Sequence, residues 1–168
     1  LNMRLKDCHG FSDFRELARR RLPSPIFNYI DGAADDEITY ERNTKSFEDC
    51  DLVPNVLRGV EEVDMSVTIM GQKLEMPIYC SPTALQRVFH HQGEYAVAAA
   101  ADKFGTMFGV SSLGTVSLSE VREQYSGPQC YQFYFHKDRG LNQAMLENAK
   151  TAGVDVMMLT VDTITGGN

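Results

Sequence analysis

The chain of 168 residues has 43% hydrophobic and 23% charged residues, the balance of an ordinary globular domain. Its 16 Lys and Arg against 23 Asp and Glu give a formal net charge of −7, and the longest basic run is Arg19-Arg20-Arg21. This composition excludes disorder over most of the chain and argues against a nucleic-acid partner.

The N-terminal residues 1–75 predict short helices. Apolar residues recur at helical spacing behind Ser12, which we expect to cap the first helix. The pair Leu22-Pro23 should end that helix, because proline disfavours helical geometry in the residue before it. A second short helix is predicted over residues 26–30, with its end near Gly32.

A third helix and a hairpin complete this segment. The helix is predicted over residues 36–47, where Glu41 and Lys45 have the spacing of an attractive pair on one helix face. Residues 65–76 predict a β-hairpin, because two short segments, 66–70 and 73–76, flank the pair Gly71-Gln72, which we expect to form the turn.

From residue 76 onward, strand and helix patterns alternate. The apolar runs cover residues 77–81, 106–112, 129–135 and 154–161, and the helical patterns between them cover 93–104, 118–125 and 140–152. Gly105 and Gly153 follow two of these helices as C-terminal caps. Ser117 and Glu120 have the spacing of a capping box at the start of the middle one. This alternation predicts βαβ units and a parallel sheet.

Two parallel-sheet architectures have to be distinguished, a doubly wound sheet and a (β/α)₈ barrel. A dinucleotide-binding doubly wound sheet would carry G-x-G-x-x-G after its first strand, but residues 81–85 contain no glycine, and a P-loop is absent too. Gln132 and Tyr134 share one face of the third strand, whereas Tyr131 and Phe133 share the other. Polar side chains gathered at the C-terminal ends of strands are typical of the barrel, which we therefore predict.

The chain holds only part of such a barrel, which needs roughly 250 residues and eight strands. The predicted α/β fold is the N-terminal half of a (β/α)₈ barrel preceded by short helices and a β-hairpin. Residues 1–75 form the helical segment and hairpin, and residues 76–168 form the first four β/α units. We expect a longer polypeptide, because four strands leave a sheet edge open. Residues 1–168 alone should therefore be inactive.

Cysteines and apolar stretches indicate the environment of the protein. The four cysteines are widely spaced, with no C-x-x-C pair, which argues against a zinc site or a disulfide framework. We expect reduced thiols in a cytoplasmic protein. The apolar run 96–101 is far shorter than the roughly 20 residues of a membrane span, which leaves peripheral membrane association open.

Polar residues stand at or just after the C-terminal ends of the four predicted strands. They are hydroxyls, one amide and one carboxylate: Ser81, Thr83, Ser111, Ser112, Gln132, Tyr134, Thr160 and Asp162. Neutral donors and acceptors of this kind suit a flat polar ring or a small anion, and they do not suggest a metal cluster. The C-terminal ends of the strands are therefore the predicted site.

At these positions the chain resembles the FMN-dependent α-hydroxy acid oxidases and dehydrogenases, which act on glycolate, lactate and mandelate. The motifs are Cys80-Ser81-Pro82-Thr83-Ala84, Gly109-Val110-Ser111-Ser112, Gln132-Phe133-Tyr134 and Leu159-Thr160-Val161-Asp162-Thr163, with Leu22-Pro23, Tyr29, Gly32-Ala33-Ala34-Asp35-Asp36 and Arg42-Asn43 before them. The resemblance covers essentially all 168 residues. It implies the barrel fold, with FMN across its C-terminal mouth.

The resemblance also implies which residues contact the cofactor. The backbone of the segment Pro82, Thr83 and Ala84 would run beside the flavin N5 edge, and the side chains of Ser111, Gln132 and Thr160 would hydrogen-bond the isoalloxazine ring. Such neutral groups match the carbonyl and N–H positions of the ring.

Three further residues would act on the substrate. Tyr29 matches the position that binds the substrate carboxylate, and Tyr134 matches the one near the substrate oxygen where negative charge develops. Asp162 would be a buried carboxylate that supports a catalytic histidine, and no histidine of this chain fits that partner role. Leu113 stands where glycolate oxidase has tryptophan, so a strict preference for glycolate is not expected.

The function implied is the oxidation of a lactate-like L-2-hydroxy acid to the 2-oxo acid, with a hydride equivalent passing to FMN and then to oxygen, a quinone or a cytochrome. A homo-oligomer is implied as well, since relatives form tetramers. Two alternatives stay open, namely another FMN barrel enzyme acting on a phosphorylated substrate, and a non-catalytic half-barrel that serves only in assembly.

Overall fold

A computed structural model describes residues 3–163 of the chain. These residues divide into two compact units, the first ending at Gly59 and the second beginning at Val60. The hairpin, which the sequence places with the N-terminal segment, lies in the second unit together with the strand–helix repeats. No helix among residues 3–163 has both the length and the apolar character needed to cross a membrane.

The first unit is helical, as predicted. After a 3₁₀ turn at Leu5–Asp7, its helices are α1 (Phe11–Arg21), α2 (Ser24–Asp31) and α3 (Ile38–Glu48). Arg15 Nη2 donates to Asp31 Oδ2 at 3.0 Å and links α1 to α2. The predicted pair on α3 is confirmed, since Lys45 Nζ lies 3.5 Å from Glu41 Oε2.

The start of α1 differs from the prediction, whereas its end agrees. Gly10 precedes the helix as its N-cap, so the assignment of that role to Ser12 is wrong. The backbone N–H groups of His9 and Gly10 donate to Asp13 Oδ2 at 2.9 and 3.1 Å. The carboxylate thus binds the backbone just before the helix, and the two bonds lower the pKa of Asp13. Leu22 is extended before proline and ends the helix.

The second unit contains a hairpin and a parallel sheet with its helices. The elements are β1 (Val67–Ile69), β2 (Gln72–Leu74), α4 (Gln86–Phe89), α5 (Glu94–Lys103), β3 (Phe108–Ser111), α6 (Leu118–Gln124), β4 (Gln129–Tyr134), α7 (Arg139–Thr151) and β5 (Val156–Thr160). The sheet has the order β3-β4-β5 with both pairs parallel. Parallel strands joined by helices confirm the predicted βαβ units.

The hairpin turn lies one residue earlier than predicted. Ile69 pairs with Gln72, so the two turn residues are Met70 and Gly71, and both have positive φ, 50° and 78°. Positive φ at both central residues matches the twist of the flanking strands. In this register Val67, Ile69 and Leu74 face the sheet, and a shift by one residue would turn Leu74 to solvent.

The first predicted strand, residues 77–81, is reduced to a single bridge. Cys80 pairs with Phe108, its N–H donates to Met107 O at 3.0 Å, and its carbonyl accepts the Gly109 N–H at 2.8 Å. Pro77 and Pro82 flank this bridge, and proline has no N–H to extend a ladder. The prediction of a full strand here is therefore wrong, although the chain keeps its parallel position.

The two faces of the sheet are covered differently. Phe108, Val110, Tyr131 and Phe133 pack on one face against the helices α5, α6 and α7. On the other face, the lower parts of the strands pack against the hairpin through the buried cluster Leu74, Met107, Cys130 and Val156. The predicted alternation along β4 is confirmed, and it leaves polar residues on the hairpin side at the C-terminal ends of the strands.

Candidate functional site

The centre of the site is the side-chain amide of Gln132 near the end of β4. It is 4% exposed, and its Oε1 accepts from the backbone N–H of Ser112 at 3.2 Å and from Ser112 Oγ at 3.2 Å. Ser111 Oγ, at 3.4 Å, is a further donor to the same oxygen, while Gln132 Nε2 donates to Thr160 Oγ1 at 2.8 Å. The structure thus brings Ser111, Gln132 and Thr160 together, as the sequence predicts.

Strand register explains why these residues meet. Ser111 is the direct partner of Gln132, and Thr160 is the direct partner of Tyr134, two residues beyond Gln132. Residues at matching register positions share one face of a sheet, so their side chains lie close together. Because Thr160 Oγ1 accepts from Gln132, its own hydroxyl hydrogen can be donated to a ligand.

The segment Pro82, Thr83 and Ala84 lies beside the end of β3. Gln86 Nε2 donates to the carbonyl and the hydroxyl oxygen of Thr83 at 3.2 and 2.8 Å, which holds this segment in a compact turn. A Cβ on Gly109 would stand 3.0 Å from Pro82 N and 2.9 Å from the carbonyl oxygen of Cys80. Glycine at this point of β3 therefore allows the segment to approach the strand closely.

Among residues 3–163, the groups that bond to Gln132 are uncharged. Burial raises the pKa of the Cys80 and Cys130 thiols, which disfavours their thiolate forms. The groups around Gln132 are hydroxyls and backbone amides. Such an arrangement suits hydrogen bonding to a neutral polar ring and offers no thiolate chemistry.

Tyr134 and Asp162 stand further out at the same end of the sheet. Tyr134 is half-buried at the last position of β4, on the face of Gln132. The backbone after it is tied to α7, since Asn142 Oδ1 accepts from His136 N at 2.9 Å and Asn142 Nδ2 donates to His136 O at 2.8 Å. Asp162 follows β5 and is exposed among residues 3–163, not buried as expected, so its role stays a prediction.

Tyr29 belongs to the first compact unit. It lies on α2 with 68% of its surface exposed. Its role toward the substrate carboxylate likewise stays a prediction.

The sequence did not single out two further residues, Glu94 and Thr115. The Glu94 side chain is fully buried at the start of α5, and it accepts two hydrogen bonds from Thr115. Glutamate is almost never fully buried unless it is paired. Nothing in its local sequence indicated burial, because its partner is 21 residues away.

A sequence model of the FMN-dependent dehydrogenase family matches residues 18–168. The chain belongs to this family. Over 151 residues, which are 90% of the chain, it is 42% identical to the L-lactate dehydrogenase of Xanthobacter autotrophicus. It is 37% identical to glycolate oxidase 1 of Oryza sativa over the same share of the chain. The L-lactate oxidase of Streptococcus iniae is 36% identical over 93% of the chain.

Solved structures agree with these matches. A mandelate oxidase superposes with a TM-score of 0.88 at 30% identity, covering 94% of the chain and 47% of that protein. A chimera of (S)-mandelate dehydrogenase superposes with a TM-score of 0.88 at 30% identity, covering 93% and 44%. The chain spans about two fifths of the length of its curated relatives, 39% to 41%. These findings confirm the predicted fold class, the N-terminal part of the barrel, and its family of FMN-dependent hydroxy acid dehydrogenases and oxidases.

The donor set fits the cofactor of this family, FMN. An isoalloxazine ring presents carbonyl oxygens and an N–H along one edge, and it needs uncharged donors and acceptors there. Ser111, Gln132 and Thr160 offer such groups from three adjacent strands, and Gly109 removes the side chain that would keep the Pro82 segment away from β3.

Proposed function

We propose that the protein oxidises a small, lactate-like L-2-hydroxy acid to the 2-oxo acid with FMN as its cofactor. The observation that carries this proposal is the hydrogen-bonded set of Ser111, Gln132 and Thr160 at the strand ends of an FMN-dependent dehydrogenase family member. FMN, when bound, supplies the acceptor for the hydride equivalent that leaves the substrate carbon.

The residues near β3 and β4 would hold the ring in place. Ser111, Gln132 and Thr160 donate and accept hydrogen bonds without adding charge, and the backbone of Pro82 to Ala84 lines the neighbouring edge. Gln132 is oriented by the protein itself, because several donors meet its Oε1 and one acceptor meets its Nε2. Such preorganisation limits the loss of side-chain freedom on binding.

The substrate contacts would come from two phenols, and a carboxylate would support the catalytic base. Tyr134, half-buried on the Gln132 face, would donate its O–H to the substrate oxygen on which charge develops. Tyr29 would bind the substrate carboxylate, since a neutral phenol donates to an anion without adding charge. Asp162 would orient and stabilise a histidine base that lies elsewhere in the protein.

Substrate size and the electron acceptor complete the proposal. Leu113 follows Ser112 and is 53% exposed, so this position can border a pocket wider than glycolate needs.

The four cysteines are free thiols, which supports a reducing, cytoplasmic location. Oxygen, a quinone or a cytochrome would then take the electrons, and a homo-oligomer is the proposed assembly.

An absorption spectrum followed by anaerobic substrate addition tests the function. The purified full-length protein should show the visible bands of bound FMN, and L-lactate, but not D-lactate, should bleach them. A phosphorylated 2-hydroxy acid that bleaches the bands where L-lactate fails would favour the other FMN barrel enzyme. A colourless protein that takes up no added FMN would contradict the proposal and favour the non-catalytic half-barrel.

A further inference from the structure

The carboxylate of Glu94 has an environment that the proposed function does not use. The side chain is 0% exposed, Oε1 accepts the Thr115 backbone N–H at 2.7 Å, and Oε2 accepts the Thr115 hydroxyl at 2.6 Å. Burying a carboxylate is strongly unfavourable unless hydrogen bonds compensate it. Both carboxylate oxygens accept hydrogen bonds from Thr115, so the buried carboxylate fixes the position of Thr115.

Thr115 passes this constraint to a second loop. Its Oγ1 donates to Glu94 and accepts the backbone N–H of Arg87 at 3.2 Å. Close by, the backbone N–H of Leu85 donates to the carbonyl of Leu113 at 3.1 Å. Two segments are joined in this way, which we call the paired loops. The first, residues 81–87, runs from the Cys80 bridge into the first turn of α4, and the second, residues 112–116, follows β3.

The turn between β3 and Thr115 is built around the same carboxylate. A Cβ on Gly114 would stand 3.0 Å from the Ser111 carbonyl oxygen and 3.3 Å from Glu94 Oε1. The backbone at Gly114 therefore passes close to the Glu94 carboxylate, and a residue with a side chain at this position would have to displace the Ser111 carbonyl or the carboxylate. Since Ser111 begins this turn, its position depends on the turn as well.

We propose that Glu94 is a positioning residue that holds the paired loops in register for the flavin. The inference rests on the proposed function in one respect, namely that FMN is the ring the loops meet. One loop carries Pro82 to Ala84, and the other begins directly after Ser111; both Ser111 and Ser112 bond to Gln132. Glu94 contacts neither ring nor substrate in this assignment; it acts through Thr115.

Substitutions at both ends of the contact test this role in the protein. Thr115→Val removes the hydroxyl that bridges Glu94 and Arg87, Thr115→Ser retains it, and Glu94→Gln removes the charge at nearly constant volume. The FMN dissociation constant should rise roughly tenfold in Thr115→Val and Glu94→Gln, the factor expected for one lost hydrogen bond to a charged group. Thr115→Ser should keep the FMN dissociation constant at its wild-type value.

Two readouts separate positioning from general stability. At saturating FMN and substrate, kcat should fall in Thr115→Val while KM changes little, because the substrate contacts are untouched. Ser117→Ala is the matched control, since Ser117 caps α6 in the adjacent turn and has no bond to Glu94. It should lower the urea midpoint and leave the FMN dissociation constant unchanged.

Amide hydrogen exchange on the protein without FMN tests the contact by itself. The backbone amides of Leu85, Arg87 and Thr115 should exchange slowly in the wild type and faster in Glu94→Gln. Rapid exchange in the wild type, or wild-type FMN affinity and kcat in both Thr115→Val and Glu94→Gln, would overturn the inference. A wild-type protein that binds no FMN would overturn the proposed function, and the exchange rates would then decide whether Glu94 joins the loops.

Discussion

At the scale of single residues, the site depends on one buried amide. The side chain of Gln132 bonds to both neighbouring strand ends, β3 through Ser111 and β5 through Thr160. The sequence indicated the residue type and the strand face, because side chains alternate along a strand. The bond directions come from the structure, where donors surround the oxygen and a hydroxyl acceptor meets the nitrogen.

Gln132→Leu should weaken both FMN binding and folding. Leucine has a similar volume, but it leaves the Ser112 N–H and the hydroxyls of Ser111 and Ser112 without their acceptor in a buried place. We expect a loss of about 1–3 kcal/mol in the free energy of unfolding and at least a tenfold rise in the FMN dissociation constant. Urea unfolding and flavin titration measure these quantities.

The matched control is Gln143→Leu on the exposed side of α7, where the amide donates only to Glu147 at 2.8 Å. This substitution should change the free energy of unfolding by no more than about 0.5 kcal/mol. Equal effects of the two substitutions would show that the buried amide has no special role.

Tyr29→Phe and Asp162→Asn should affect different kinetic constants. A phenol that binds the carboxylate equally in the ground and transition states changes KM, so Tyr29→Phe should raise KM and leave kcat near its normal value. Asp162→Asn should lower kcat by about 10²-fold or more, because it removes a carboxylate that stabilises the charge formed on the base. Steady-state assays with L-lactate separate the two, and an unchanged kcat in Asp162→Asn would refute its assigned role.

At the scale of elements, side-chain hydrogen bonds set where helices and turns begin and end. Ser117 and Glu120 form the predicted capping box of α6, and these bonds lower the pKa of Glu120. The hairpin turn was placed one residue too late, because the packing of Leu74 beneath the sheet selects the register. Local sequence is sufficient for the cap, and long-range packing decides the turn.

Tyr125 should make folding sensitive to high pH. It is 1% exposed after α6, its hydroxyl donates to the carbonyl of Pro128 at 3.0 Å and to that of Thr106, and burial raises its pKa to about 12. An unfolded tyrosine ionises near pH 10. The folded state therefore holds its proton more tightly, and this contribution is complete below about pH 10 and is lost between about pH 10 and 12.

Urea unfolding across this pH range checks the prediction. Wild-type stability should fall as the pH rises above about 10, by at most about 3 kcal/mol from this group. Tyr125→Phe should be less stable at neutral pH, because two buried carbonyls lose a donor, and its alkaline decline should be shallower. Parallel declines in the two proteins would contradict the assignment.

At the scale of the whole molecule, the described sheet is open. β5 pairs with β4 on one side, and no other described strand pairs with it. Met157, Leu159 and Val161 are exposed on the face that the other strands cover with helices. A closed barrel of this kind has eight strands, and a ring of helices covers the outer face of every strand. The chain spans about two fifths of its curated relatives, 39% to 41%, which agrees with this open form.

Residues 1–168 expressed alone should be inactive and poorly folded. The open edge of β5 and its apolar face would meet water, which favours aggregation. Turnover of L-lactate with an artificial acceptor should be absent, and unfolding should lack cooperativity. A soluble, cooperatively folding and active product would show that these residues need no further part of the barrel.

The sequence by itself determined the helix end at Leu22, the capping box of α6, the alternation along β4 and the family. Each of these depends on neighbouring residues or on motifs that can be read along the chain. Only the tertiary structure decided the reduction of the first strand to a bridge at Cys80 and the burial of Glu94. A strand forms only where a partner supplies a ladder, and a buried carboxylate is tolerated only where distant donors reach it. Those partners are brought together by the fold.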